Sequence, residues 1–110
     1  MKGDRLGEFE ELSLLTVCAL GDAAYGVAVQ QHLEELAARP VTMGAVYSAL
    51  ERLERKGLLR SALGEPTRER GGKRKRLYQV TKSGHDVLRD VRRVRETLWR
   101  AIEQPKRGRA

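Results

Sequence analysis

The chain has 110 residues and carries 22 lysines and arginines against 15 acidic residues, a net charge of +7. That length suits one domain with one modest core, and the charge points to a polyanionic partner, nucleic acid before membrane. Cys18 is the single cysteine, which excludes an intrachain disulfide. No run of about 18 apolar residues is present to span a membrane, and the opening MKGDRLGEFE lacks the apolar core of a signal peptide, so a soluble cytoplasmic setting is expected.

Residues 1–6 read as a flexible lead. A first helix is expected from Gly7 or Glu8 to Leu20, with Glu8, Glu10 and Glu11 at the positive end of its dipole. Its LSLLTVCAL run is apolar nearly all round, unlike a surface helix of a small monomer. Burial on two sides, against its own core and a second subunit, is the simplest solution, and Cys18 reads as a buried structural thiol. Gly21 and Asp22 break the helix, Asp22 as a cap for the next. A second helix is expected over Ala24–Ala38, with Tyr25, Val29, Leu33 and Leu36 as its apolar stripe and Gln30, Gln31, Glu34 and Glu35 on its wet side. Gly26 costs about 1 kcal/mol there relative to Ala, so it suggests close helix packing. His32 reads as a solvated surface residue. His32, His85 and Cys18 are too scattered to form a metal set, and no cofactor is implied.

The stretch Val41–Leu58 organises the rest. Pro40 interrupts what precedes it, Thr42 is suited to cap a helix, and Gly57 to close one. Val46, Ala49, Leu50 and Leu53 form one apolar face. The opposite face starts with small or hydrogen-bonding groups, Thr42, Gly44, Ala45 and Ser48, with Tyr47 at the border, and charge begins at Glu51. Such a helix can approach major-groove edges closely. Tyr47 can reach phosphate through its hydroxyl or help pack the helix. Arg52 is a further DNA-binding candidate, with Glu51 repelling DNA unless it pairs with Arg52 or Arg55.

After this helix, Leu58–Leu63 and Leu77–Val80 read as short strands around a turn at Gly64-Glu65-Pro66-Thr67 and the run RERGGKRKR. Residues 65–76 hold six basic residues (Arg68, Arg70, Lys73, Arg74, Lys75, Arg76) against two acidic ones, a net of +4, with Gly71-Gly72 freeing the loop tip. A basic hairpin in this position is a wing, placed to touch phosphate or the minor groove. Thr81 then caps a last helix to about Gln104. Its Val87, Val91, Val94 and Leu98, continued by Ile102 and flanked by Trp99, form a coiled-coil-like seam. Together these elements predict a mainly α fold with a small β-hairpin: a winged helix-turn-helix over 1–80, a dimerisation helix over 81–104, and a flexible tail over 105–110.

Four stretches in this order, LGEFEELSLLTVCAL, AYGVAV, VTMGAVYSALERLERKGLL and GEPTRERGGKRKRLYQVTKSG, resemble the PadR family of bacterial winged-helix transcriptional regulators. The short C-terminal end is similar to the compact subgroup with one dimerisation helix. Met43 stands where that family more often has Leu or Pro. The resemblance implies a homodimer closed through the last helix and the first, here Phe9, Leu12 and Leu15 with Val87, Val91, Val94, Leu98 and Ile102. It implies a recognition helix over Thr42–Lys56 in the major groove and a wing over Glu65–Lys75 along the backbone or minor groove. The DNA-binding set is then Thr42, Gly44, Ala45, Tyr47, Ser48, Arg52, Arg68, Arg70, Gly72, Lys73, Arg74, Lys75 and Arg76.

Family members usually repress nearby genes and release DNA on binding a small effector. Some hold flat aromatic molecules in the dimer cavity, where a tryptophan of the last helix stacks on them. Trp99 sits on the matching helix, with Val94 and Leu15 as neighbours of such a pocket, although Trp99 also suits plain packing between subunits. The expected function is therefore sequence-specific binding of double-stranded DNA as a homodimeric repressor. The competing reading is a winged helix used for protein or RNA interaction. An enzyme is not expected, because the chain shows no nucleophile–base pair, carboxylate cleft, phosphate loop or metal set.

Overall fold

A computed structural model describes residues 6–66 and 74–104. The elements run α1 (Glu8–Leu20), a 3-10 turn (Gly21–Ala23), α2 (Gly26–Ala37), α3 (Met43–Arg55), β1 (Leu59–Pro66), β2 (Arg74–Val80) and α4 (Lys82–Glu103). The fold is mainly helical with one antiparallel hairpin, as expected. No helix among the described residues is long and apolar enough to cross a membrane.

The core forms where α1, α2 and α3 meet over the hairpin. Leu14 and Val17 of α1, Val29 and Leu33 of α2, Val46, Leu50 and Leu53 of α3, and Leu58, Leu59 and Tyr78 around the hairpin are all buried. Leu14, Val29, Val46, Leu50 and Leu53 are wholly shielded from water. Burying such a side chain contributes roughly 1.5–3 kcal/mol, so this cluster drives the collapse.

α2 starts two residues later than its periodicity suggests. Asp22 lies in the 3-10 turn and caps nothing. Tyr25, half-buried, has extended backbone and bridges to Leu77, while the Tyr78 amide donates to the Ala24 carbonyl at 2.9 Å. The α1–α2 connection is thus drawn against β2, because β2 would otherwise leave backbone groups unpaired. At the other end Leu36 is 72% exposed and does not join the stripe.

The turn between α2 and α3 is held by α2 side chains. Gln30 Nε2 donates to the Val41 carbonyl at 2.8 Å, and Glu34 accepts from the Val41 amide at 3.1 Å. Ala38 closes α2 in the left-handed conformation at φ 54°. Two residues that read as the wet side therefore set the angle at which α3 leaves α2.

β1 and β2 pair from Leu59–Val80 outward to Leu63–Arg76, with an irregularity before Pro66–Arg74. Both strands reach further along the wing than expected, so Arg74, Lys75 and Arg76 sit on β2 and not in a loop. Thr81 ties hairpin to α4: its hydroxyl donates to the Gly57 carbonyl at 2.7 Å and accepts from the Gly84 amide at 3.1 Å, while its amide donates to the Leu58 carbonyl. Gly57, at φ 77°, makes the left-handed turn after α3 that was expected of it.

α4 has 22 residues, about 33 Å of helix. Val87 and Leu88 pack against the core and Val91 is half-buried, but every residue from Arg92 to Gln104 is exposed. Arg95 braces the exposed part against α1 with a two-pronged pair to Glu11, Nη2 at 2.7 Å and Nε at 3.0 Å. Cys18 corrects the expectation of a buried thiol: it is exposed, at the edge of the open groove between α1 and α4.

Candidate nucleic-acid interface

The interface is built on α3. Thr42 caps it as predicted, accepting from the Ala45 amide at 3.1 Å. Val46, Ala49, Leu50 and Leu53 turn inward and are buried, which forces Gly44, Ser48, Glu51 and Arg55 onto the opposite line of the helix, all exposed. Thr42 and Ala45 are exposed beside them. Nothing among the described residues lies within 4 Å of where a β-carbon on Gly44 would stand, so no described part of the chain covers this position.

Tyr47 lies on one flank of that line, 45% exposed. Its ring passes over Gly26, where a β-carbon would meet the hydroxyl at 2.5 Å. Of the two sequence alternatives for Tyr47 the packing one is met: the hydroxyl end of the ring lies on α2, and the hydroxyl makes no hydrogen bond among the described residues. Gly26 serves close packing as expected, but against a tyrosine of α3 and at the first turn of α2.

On the other flank stands an ion cluster the sequence did not reveal. Glu10, 7% exposed, accepts from Arg52 Nε at 2.8 Å and Lys56 Nζ at 2.8 Å, and its other contact is the Gly7 amide at 3.3 Å. Burial by itself would raise the Glu10 pKa; the bonds from Lys56, Arg52 and Gly7 together outweigh it and hold the carboxyl below its ordinary value. Arg52 is therefore a tether between α3 and α1. The reading of Glu10 as a dipole partner of its own helix is incomplete, since its main partners lie on α3.

The wing attaches to α3 through a polar chain. Arg76 Nη1 donates to Ser61 Oγ at 3.1 Å, and Ser61 Oγ donates to the Glu54 carboxylate at 2.9 and 3.0 Å. Arg74 Nε donates to the Gly64 carbonyl at 2.8 Å, and Lys75 Nζ stands 4.1 Å from the centre of the Tyr25 ring. All three basic side chains are exposed on the described base of the wing. Arg68, Arg70, Gly72 and Lys73, and the Gly71-Gly72 tip, lie outside the described residues.

At the far end, Phe9 and Leu12 are half-buried, and Leu15, Val94, Leu98, Trp99 and Ile102 are 44–66% exposed. Leu15 lines two shallow grooves. One, of about 270 Å³, runs between α1 and α2 beside Leu12, His32 and Leu36; the other, of about 350 Å³, lies between α1 and α4 beside Cys18, Leu88 and Val91. Neither brings in Trp99 or Val94, so among the described residues these two grooves do not form the expected effector pocket. Among the described residues, no group of three or more His, Cys, Asp or Glu is placed to hold a metal.

A helix-turn-helix with its second helix bare on the outside, followed by a basic two-stranded hairpin, defines a winged-helix DNA-binding protein. Residues 14–90 match the model of the PadR-like family of transcriptional regulators, and the chain belongs to that family. A PadR family transcription regulator from Clostridium difficile is 30% identical, with 84% of this chain and 90% of that chain covered and a TM-score of 0.56. A PadR family regulator from Eggerthella lenta is 27% identical over 93% and 88%, TM-score 0.65. A PadR-like regulator from Bacillus cereus shares the fold at TM-score 0.70 over 92% and 93%, with 18% identity. No protein of curated function matches the chain at a significant level.

Proposed function

We propose that this DNA-binding regulator acts as a homodimer on an inverted-repeat operator and represses transcription from it. In this reading residues 1–80 present α3 and the wing to DNA, and α4 joins the subunits. The observation that carries it is the pairing of two uncovered surfaces. The outer line of α3 is bare, and the seam of α4 beyond Val91 exposes Val94, Leu98 and Ile102 to water. A second copy of the chain, laid along α4 and α1, covers the apolar surface and sets two α3 helices on one side of a duplex. Release by a flat aromatic effector belongs to the same reading, with Trp99, Val94 and Leu15 brought together only when two subunits meet.

Footprinting on duplexes selected from a random pool tests it. Two protected half-sites related by a dyad, about one helical turn or roughly 34 Å apart, are expected. With about 8–10 phosphates neutralised per dimer, log affinity falls against log salt with a slope of about −7 to −9. A single unrepeated half-site argues against the dimer, and a slope near zero removes the wing. Preference for RNA, or no preference for any duplex, would favour the interaction-module reading.

A further inference from the structure

The charged residues of α3 divide into two kinds. Arg52 and Lys56 are bound to Glu10, and Glu54 accepts from Ser61. Glu51 and Arg55 make no hydrogen bond or ion pair among the described residues. They stand four residues apart, a spacing at which Lys82–Asp86 and Arg92–Glu96 both pair on α4. Both lie on the outward line that begins with Gly44 and Ser48, so any duplex seated against that line meets them.

Resting on the proposed operator binding, we infer that Glu51 and Arg55 are the sequence-reading pair of α3 and that they recognise a C·G step in each half-site. A carboxylate pressed toward DNA is repelled by every phosphate, and left unpaired in a dehydrated interface it is costly. The major groove offers carboxylates only amino donors, and the pairing that geometry favours is with cytosine N4. An arginine one turn further along is matched to guanine O6 and N7 of the neighbouring base pair in that step. The small residues Gly44 and Ser48 let the helix sink far enough for both side chains to reach the base edges. Glu10 acts as a positioning residue: by holding Arg52 and Lys56 on the flank, it leaves Arg55 as the guanidinium of α3 that faces outward. In this inference Arg55 takes the base-reading place expected of Arg52, and Glu51, which was expected to repel DNA unless paired with Arg52 or Arg55, is held by a base donor.

The test is selection from a random duplex pool with the full chain and three variants, Glu51→Ala, Arg55→Ala and Arg52→Ala, followed by affinity measurement on the recovered sites. The wild type is expected to enrich cytosine and guanine at one fixed distance from the dyad. Glu51→Ala is expected to lose the cytosine preference by about 10-fold while binding to unrelated duplex is retained or strengthened. Arg55→Ala is expected to lose the guanine preference by a similar factor, and Arg52→Ala to leave the recovered sequence unchanged. Identical recovered sequences for wild type, Glu51→Ala and Arg55→Ala overturn this inference and leave operator binding standing, as does a changed sequence for Arg52→Ala alone. A wild type that enriches nothing overturns both. Circular dichroism melts of each variant separate lost recognition from lost folding.

Discussion

Gly26 and Tyr47 share one site between α2 and α3, since a β-carbon on residue 26 would stand 2.5–2.7 Å from the hydroxyl end of the tyrosine ring. The ring is half-exposed, so a larger residue 26 is accommodated by swinging it away and not by breaking the core. Gly26→Ala is therefore expected to keep or slightly raise the melting temperature, because Ala is the better helix former. The same change should weaken DNA binding. Tyr47→Phe keeps the ring in place and removes only the hydroxyl, and should cost about 10-fold in affinity if that hydroxyl meets a phosphate. Fluorescence anisotropy on an operator duplex reads both; unchanged affinity in both variants would leave Tyr47 a packing residue alone.

The Glu10 cluster predicts an acid-sensitive contribution to stability. The carboxyl's folded-state pKa lies below the ordinary 4.5, so protonation is harder in the folded chain. Its contribution is complete above about that value and is lost as pH falls through the folded-state pKa. Glu10→Gln should cost about 1–2 kcal/mol at pH 7, less than the 3–5 kcal/mol for a fully buried pair, because Arg52 and Lys56 can rehydrate. Urea unfolding at pH 7 and pH 3 should show the gap between wild type and variant closing in acid. A gap that widens in acid would contradict the assignment.

Gly84 sits where the start of α4 packs on the hairpin's base, and a β-carbon there would collide with the Leu58 carbonyl and come within 2.7 Å of Val80 Cγ1. That carbonyl already accepts the Thr81 amide, so it cannot move without breaking the joint. Gly84→Ala should destabilise by about 1–3 kcal/mol. Ser83→Ala, next along but exposed, should stay within about 0.5 kcal/mol. Equal melting temperatures for the two would show that α4 adjusts freely at its start.

Leu98 and Ile102, 60% and 66% exposed, are the sharpest test of self-association. The double change Leu98→Glu, Ile102→Glu should yield monomers in sedimentation experiments with the helical circular dichroism signal largely kept. Operator affinity should fall steeply, since the two half-sites are then bound independently. A variant that remains a dimer would move the interface away from the α4 seam.

Features set by neighbours within a turn or two were legible in the residues alone. Thr42 and Thr81 cap helices because a hydroxyl reaches an amide three residues on, and Gly57 turns because it has no β-carbon to clash. The length of α4, the inward line Val46–Ala49–Leu50–Leu53 and the outward line from Gly44 to Ser48 follow from the helical period. The class of partner follows from the basic excess and its placement after α3.

What only the folded chain decided is which distant groups meet. Glu10 finds Arg52 across 42 residues, and nothing in its local sequence separates it from Glu8, which pairs loosely with Arg39 at 3.8 Å. Gln30 and Glu34 read as solvent-facing because a helical wheel cannot see the backbone of Val41 turning back over them. Cys18 reads as buried because its run is apolar throughout, whereas a short three-helix core can cover only one side of α1. Periodicity assigns faces, and the three-dimensional path of the chain then assigns what each face touches. That is why the helices and their caps were readable in advance, while the split between tethered Arg52 and outward Arg55 was not.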